Sequence, residues 1–152
     1  MKYLNTEIVA REFPCEITLA INITGCPNKC VGCHSPLLRE DIGTVLNFEE
    51  LDKLILDNPG ITCVGFMGGD GDVETLCALV RYVKWEYRGL KVGWYSGRDC
   101  IDIDMFKCFD YIKFGSYQEK YGPLDSPTTN QVMFEMKDGK AHNITKKFLR
   151  EQ

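Results

Sequence analysis

Between Ile17 and Ile23 apolar and polar positions alternate: Ile17, Leu19, Ile21 and Ile23 fall on one side, Thr18, Ala20 and Asn22 on the other. A period of two predicts a strand, and this one runs directly into Gly25 and a cysteine-bearing loop. From Asn47 the period becomes helical. Phe48, Leu51 and Ile55 share a face, Asn47 can cap it, and Glu50 three residues later completes a capping box. Asn58-Pro59-Gly60 stops that helix. Ile61 to Met67 is a short apolar run closed by Gly68-Gly69, the pattern of a buried second strand. Asp72 then caps a second helix with the apolar stripe Leu76, Leu79, Val80 and Val83. Leu90 to Tyr95 reads as a third strand closed by Ser96-Gly97, and Tyr111 to Phe114 as a fourth ending at Gly115. Val132 to Met136 reads as a fifth, followed by the turn signal Asp138-Gly139. The tail from Ile144 is short and polar and predicts no element.

Strands alternating with helices predict right-handed βαβ units and a mostly parallel sheet. The 152 residues suit a single domain spanning 1–152. They fall well short of the roughly 250 that a complete eight-unit barrel needs. The expected fold is therefore α/β, an open, curved, mostly parallel sheet forming a partial (βα) barrel. Ligands of such sheets sit at the carboxyl ends of strands. Each glycine-bearing segment above falls at such an end, so one site is expected there.

Composition narrows the class. With 44% hydrophobic and 26% charged residues the chain reads as an ordinary soluble globular protein. Its net charge is -4, and no lysine or arginine cluster exceeds Lys146-Lys147, which argues against nucleic acid as the partner. No run approaches the roughly 18 apolar residues that cross a bilayer. Met1 to Arg11 lacks the apolar stretch of a signal peptide. A cytoplasmic protein without a membrane partner is the expectation, and eight cysteines is a high count for that compartment. Cys63, Cys77 and Cys108 sit among apolar neighbours and read as small buried hydrophobes. Cys100 suggests no role of its own. Cys26, Cys30 and Cys33 crowd together and need another explanation.

These three occupy Thr24-Gly25-Cys26-Pro27-Asn28-Lys29-Cys30-Val31-Gly32-Cys33-His34, a CxxxCxxC spacing. Three close thiolates can hold three corners of a four-iron four-sulfur cluster, and the turn-forming residues let the backbone wrap a compact object. The fourth iron is then left without a local protein ligand, an arrangement that suits chemistry better than electron storage. The alternative is a non-catalytic zinc or electron-transfer module, with Cys15 or His34 as the fourth zinc ligand. At the second strand end, Gly68, Gly69 and Asp70 allow close backbone approach of a ligand, although such a run also serves as a turn and helix cap. Ser96 at the third strand end is either a ligand contact or a strand-end turn. Lys113 on the fourth strand either enters the site or is solvated. His142 has no assigned role.

The cysteine triplet after a first strand, with Gly-Gly-acid after a second, resembles the radical S-adenosylmethionine superfamily. The resemblance implies that Cys26, Cys30 and Cys33 bind a [4Fe-4S] cluster, and that S-adenosylmethionine chelates its open iron. It implies contacts to that cofactor from Gly68, Gly69, Asp70 and Ser96, with Lys113 a further candidate. Two departures are visible: Gly32 stands where many members carry an aromatic residue, and Asp70 replaces the common glutamate. Within the superfamily the chain is most similar to the activating proteins of anaerobic (class III) ribonucleoside-triphosphate reductases. That likeness rests on its small size, Tyr95-Ser96-Gly97, Asp110 to Ser116, Pro123-Leu124 and Ser126-Pro127-Thr128-Thr129-Asn130-Gln131. It implies an oxidoreductase that forms a glycyl radical on the reductase as its protein substrate, reduced by a donor such as flavodoxin or ferredoxin. Activators of pyruvate formate-lyase and other glycyl-radical enzymes are the alternative. Many of those are longer and carry further cysteine clusters.

Overall fold

A computed structural model describes residues 1–28, 30, 32 and 36–149. It contains β1 (Lys2–Val9), β2 (Thr18–Ile23), β3 (Thr44–Val45), α1 (Phe48–Leu56), β4 (Cys63–Met67), α2 (Val73–Glu86), β5 (Lys91–Tyr95), α3 (Ile103–Phe106), β6 (Tyr111–Phe114), β7 (Val132–Lys137) and β8 (Lys140–Asn143). The strands form one sheet in the order β3-β1-β2-β4-β5-β6-β7-β8.

The expectation of a mostly parallel sheet needs correction. Only the central pairs β2–β4, β4–β5 and β5–β6 run parallel. The flanks β3–β1–β2 and β6–β7–β8 are antiparallel, so the fold is a mixed α/β sheet. The cause is local: no helix intervenes between β1 and β2 or between β7 and β8, so those neighbours return by hairpin-like connections instead of crossovers. β7 and β8 meet across Asp138-Gly139, where both residues take positive φ (54° and 74°).

The central strands bury both faces, as βαβ strands do. Leu19, Ile21, Ile23, Val64, Phe66, Val92, Trp94 and Ile112 face the helices and pack with Leu51 and Ile55 of α1 and Leu76, Leu79, Val80 and Val83 of α2. Both N-caps follow the sequence signals, but the expected capping box forms only its Asn47 half, because the Glu50 carboxylate turns to Tyr3. Asn47 accepts the Glu50 N–H, and Asp72 accepts the Thr75 N–H. The Glu50 carboxylate takes the Tyr3 hydroxyl at 2.5 Å, tying α1 to β1.

On the opposite face the register aligns Ala20, Gly65, Gly93 and Tyr111 into one row across the sheet. The ring of Phe13 lies over this row, stacked on Tyr111 at 5.1 Å and edge-on to Tyr95 at 5.3 Å. A Cβ at position 93 would come within 2.2 Å of the Phe13 ring, so only glycine fits there. One row further toward the carboxyl ends, Asn22, Met67, Tyr95 and Lys113 stand side by side.

The α1–α2 contact carries a pH signature. The Tyr82 and Tyr87 hydroxyls both donate to Asp52, at 2.7 and 2.6 Å. Those hydrogen bonds first, and burial second, push both phenols up to about 12. An unfolded chain releases such protons near pH ~10. Their contribution is therefore complete below pH ~10 and is lost as pH rises through the folded value of about 12. Melting temperature followed from about pH 9 to about pH 12 should fall across that window, and Asp52→Asn should flatten the fall. An equal fall in the variant would remove Asp52 from this role.

Candidate functional site

The loop that leaves β2 is pinned along its first limb. Thr24 Oγ1 donates to the Ile42 carbonyl at 2.7 Å. The Gly25 N–H donates to Glu40 O at 3.0 Å, and the Cys26 N–H to Leu38 O at 2.9 Å. A 3-10 turn over Pro36–Arg39 returns the chain, and Arg39 Nη2 donates to the Cys30 carbonyl at 2.6 Å. Cys26 and Cys30 are thereby both brought onto a cavity of about 450 Å³ on the Phe13 side of the sheet. Cys33 and His34 lie outside the described residues.

The same cavity collects the ends of three parallel strands: Gly68 and Asp70 after β4, Ser96 and Gly97 after β5, and Gly115 after β6, with Lys113 from β6 itself. The single site expected at the carboxyl ends is thus a continuous surface. Gly69 is turned away from it, lining a smaller recess with Met1, Ile23 and Gly25. The Gly68 carbonyl already accepts the Trp94 indole N–H at 2.8 Å.

Asp70 is buried and its carboxylate is fully engaged. Oδ1 accepts the Ser96 hydroxyl at 2.6 Å, while Oδ2 accepts Asn28 Nδ2 at 2.6 Å and the Gly97 N–H at 2.8 Å. Arg98 adds charge, with Nε 3.9 Å from Oδ1 and Nη2 donating to the Asp70 carbonyl at 2.9 Å. One side chain thus joins the cysteine loop, the end of β4 and the end of β5. Ser96 is buried, and its hydroxyl accepts the Arg98 N–H while donating to Asp70, so it holds the frame of the site. Lys113 Nζ stands 4.7 Å from the Tyr95 ring centroid, a cation–π placement at the cavity wall.

The Asn130-Gln131 pair clamps the end of β6. Asn130 Nδ2 donates to the Ser116 carbonyl at 2.9 Å, and Gln131 Nε2 to the Gly115 carbonyl at 3.1 Å. Amide side chains suit this because the carbonyls at a strand end have lost their ladder partners. Sequence reasoning gave Asn28 only a turn-forming role and left Arg39 and Arg98 without any. Asn28 and Arg98 meet Asp70 from 42 and 28 positions away, a separation no local pattern spans.

Other cysteines lie elsewhere. Cys63 and Cys77 are buried as expected, and burial pushes the Cys63 thiol up to about 12. Cys108 is only partly buried. Cys15 is exposed and precedes β2, whereas Cys26 follows it. A strand of six residues separates the two by roughly 20 Å, which excludes Cys15 as a ligand shared with Cys26. A second cavity, about 870 Å³, continues from the first past Asn28, Cys30, Gly97 and Tyr117 to Arg98 and Lys120.

No helix among the described residues is long and apolar enough to cross a membrane. Neither the curated proteins nor the solved structures contain a significant match to the sequence. Residues 17–125, well over half of the chain and including the whole cysteine loop and all three parallel pairs, match the family described as 4Fe-4S single cluster domain. The donor set agrees, since the loop turns two thiols onto one cavity and sets an amide N–H against one of them, Asn28 Nδ2 to Cys26 Sγ at 3.6 Å. A pinned thiol loop facing a strand-end cavity, matched in sequence from β2 to beyond β6, makes this chain a member of the 4Fe-4S single cluster domain family.

Proposed function

We propose that this protein is a radical S-adenosylmethionine enzyme that generates the glycyl radical of an anaerobic ribonucleoside-triphosphate reductase. The observation that carries the reading is the shared cavity: Cys26 and Cys30 face the ends of β4, β5 and β6 across about 450 Å³. That volume lies within the usual range for a small-molecule site. In this reading Cys26, Cys30 and Cys33 hold the cluster. When bound, the cluster would supply the one electron needed to split the carbon–sulfur bond of S-adenosylmethionine into methionine and a 5′-deoxyadenosyl radical.

The chain's own residues bind and orient. Gly68 lets the cofactor's amino-acid end approach the backbone closely, and Lys113 offers a positive charge to its carboxylate. Asp70 and Ser96 fix the strand ends against the loop. The sheet in this reading is a partial barrel with an open side. Through it a glycine-bearing loop of the protein substrate would reach the radical and give up a hydrogen atom. An electron carrier such as flavodoxin or ferredoxin would recharge the cluster from outside. The absence of a second close cysteine cluster after Cys33 favours the reductase over longer glycyl-radical activators as the family of partner.

The test is anaerobic. The protein is reconstituted with iron and sulfide, reduced and given S-adenosylmethionine, and 5′-deoxyadenosine is quantified. The reductase is then added and its glycyl radical sought by electron paramagnetic resonance. Formation of both supports the proposal. Cleavage without a radical on the reductase would redirect the search to another partner. No cleavage by a fully loaded, reduced cluster would leave an electron-transfer module.

A further inference from the structure

Asn28 lies between two cysteines of the loop, and its side chain is held from three directions. Its Nδ2 donates to Asp70 Oδ2 at 2.6 Å and to Cys26 Sγ at 3.6 Å. The carboxylate oxygen that receives Nδ2 also receives the Gly97 N–H. Such an acceptor leaves the amide one orientation, nitrogen toward Asp70 and Cys26, because the amide oxygen has no proton to offer. The third constraint is steric. A Cβ on residue 97 would lie 2.7 Å from Asn28 Nδ2 and 3.2 Å from its Cγ, so the glycine keeps open the space that the amide fills. An amide group carries two protons, and the two acceptors account for both.

From this arrangement we infer that Asn28 sets the reduction potential of the cluster by donating a hydrogen bond to the Cys26 sulfur, with Asp70 and Gly97 holding its amide in place. Hydrogen bonds to cluster sulfurs are a principal determinant of iron–sulfur potentials. A reduced cluster carries one more negative charge, and its ligand sulfurs are stronger acceptors for it. A donor that cannot rotate away therefore favours reduction and raises the potential. Orienting partners beyond the ligands commonly tune metal sites in this way. The inference concerns the cluster alone and stands whether or not S-adenosylmethionine is cleaved.

The measurement is a redox titration of the reconstituted full-length protein, read by electron paramagnetic resonance of the reduced cluster. Asn28→Ala should raise the oxidised-to-reduced ratio at a fixed potential roughly tenfold, which is a fall of about 59 mV in midpoint for a one-electron couple. Gly97→Ala, which displaces the amide without removing it, should move the midpoint in the same direction by less. An unchanged midpoint in fully loaded Asn28→Ala overturns the inference. If Asn28→Ala fails to load, Gly97→Ala decides: a lowered midpoint supports the assignment and an unchanged one refutes it.

Discussion

Alanine at Cys30 is expected to leave the chain folded while weakening its hold on the cluster by at least about a hundredfold. The two halves of that result have separate physical grounds. The loop around Cys30 is held by backbone contacts, chiefly Arg39 to the Cys30 carbonyl and the Cys26 N–H to Leu38. The thiol is only partly buried, so its loss should change the stability of the cluster-free protein by no more than about 0.5 kcal/mol. Cluster binding is another matter. Losing a mere orienting partner commonly costs metal sites 10–100-fold, and removing one of three thiolates exceeds that. Iron and sulfide per chain after anaerobic reconstitution, beside thermal unfolding of the cluster-free form, make the comparison. Full loading of Cys30→Ala would end the assignment of this loop as the cluster site.

Asp70→Ala should be damaging in a different way, destabilising even the cluster-free protein by at least about 3 kcal/mol. The substitution deletes a buried carboxylate on which Asn28, Ser96 and Gly97 all converge. Three donors then lose their shared acceptor, in a place where the Ser96 hydroxyl has little water to replace it. Asp70→Asn separates shape from charge. Its oxygen can take the place of Oδ2 and keep the Asn28 and Gly97 donors, while its nitrogen donates to a reversed Ser96 hydroxyl. Most of the stability should return, and denaturant unfolding of the three proteins tests it. Equal losses in both variants would show that charge, not the hydrogen-bond geometry, holds the loop to the strand ends.

The parallel centre of the sheet was legible from the alternation in β2 and the short apolar run of β4, and glycines marked where its strands ended. Asn47 and Asp72 were legible as caps because a side-chain acceptor beside an apolar stripe acts within one turn. The flanks were not legible. β1 reads KYLNTEIV and exposes half its length with a single fully buried residue, so it alternates too weakly to announce a strand. β8 reads KAHN and is exposed at every position. Such strands are defined by their neighbours' hydrogen bonds, which no local pattern records. In the candidate site the cysteines declared themselves by spacing, which is local. Asp70 was legible as a strand-end acid, but its function as a hub depends on Asn28 and on Ser96, whose separation from it only folding removes.

Phe13 and the glycine row beneath it bear on how this architecture can diverge. The ring belongs to the connection from β1 to β2 and Gly93 to the parallel core, yet they share one volume. Residues 13 and 93 are consequently free to vary only as a pair. A descendant that shrinks the side chain at 13 gains room for alanine or serine at 93, and one that keeps the aromatic ring must keep the glycine. Position 65 answers to more neighbours, since a Cβ there would also meet Met67 Cε and Thr18 Cγ2 at 2.9 Å. Correlated size changes at 13 and 93, widely separated in the chain, would be the trace that this packing leaves across related sequences.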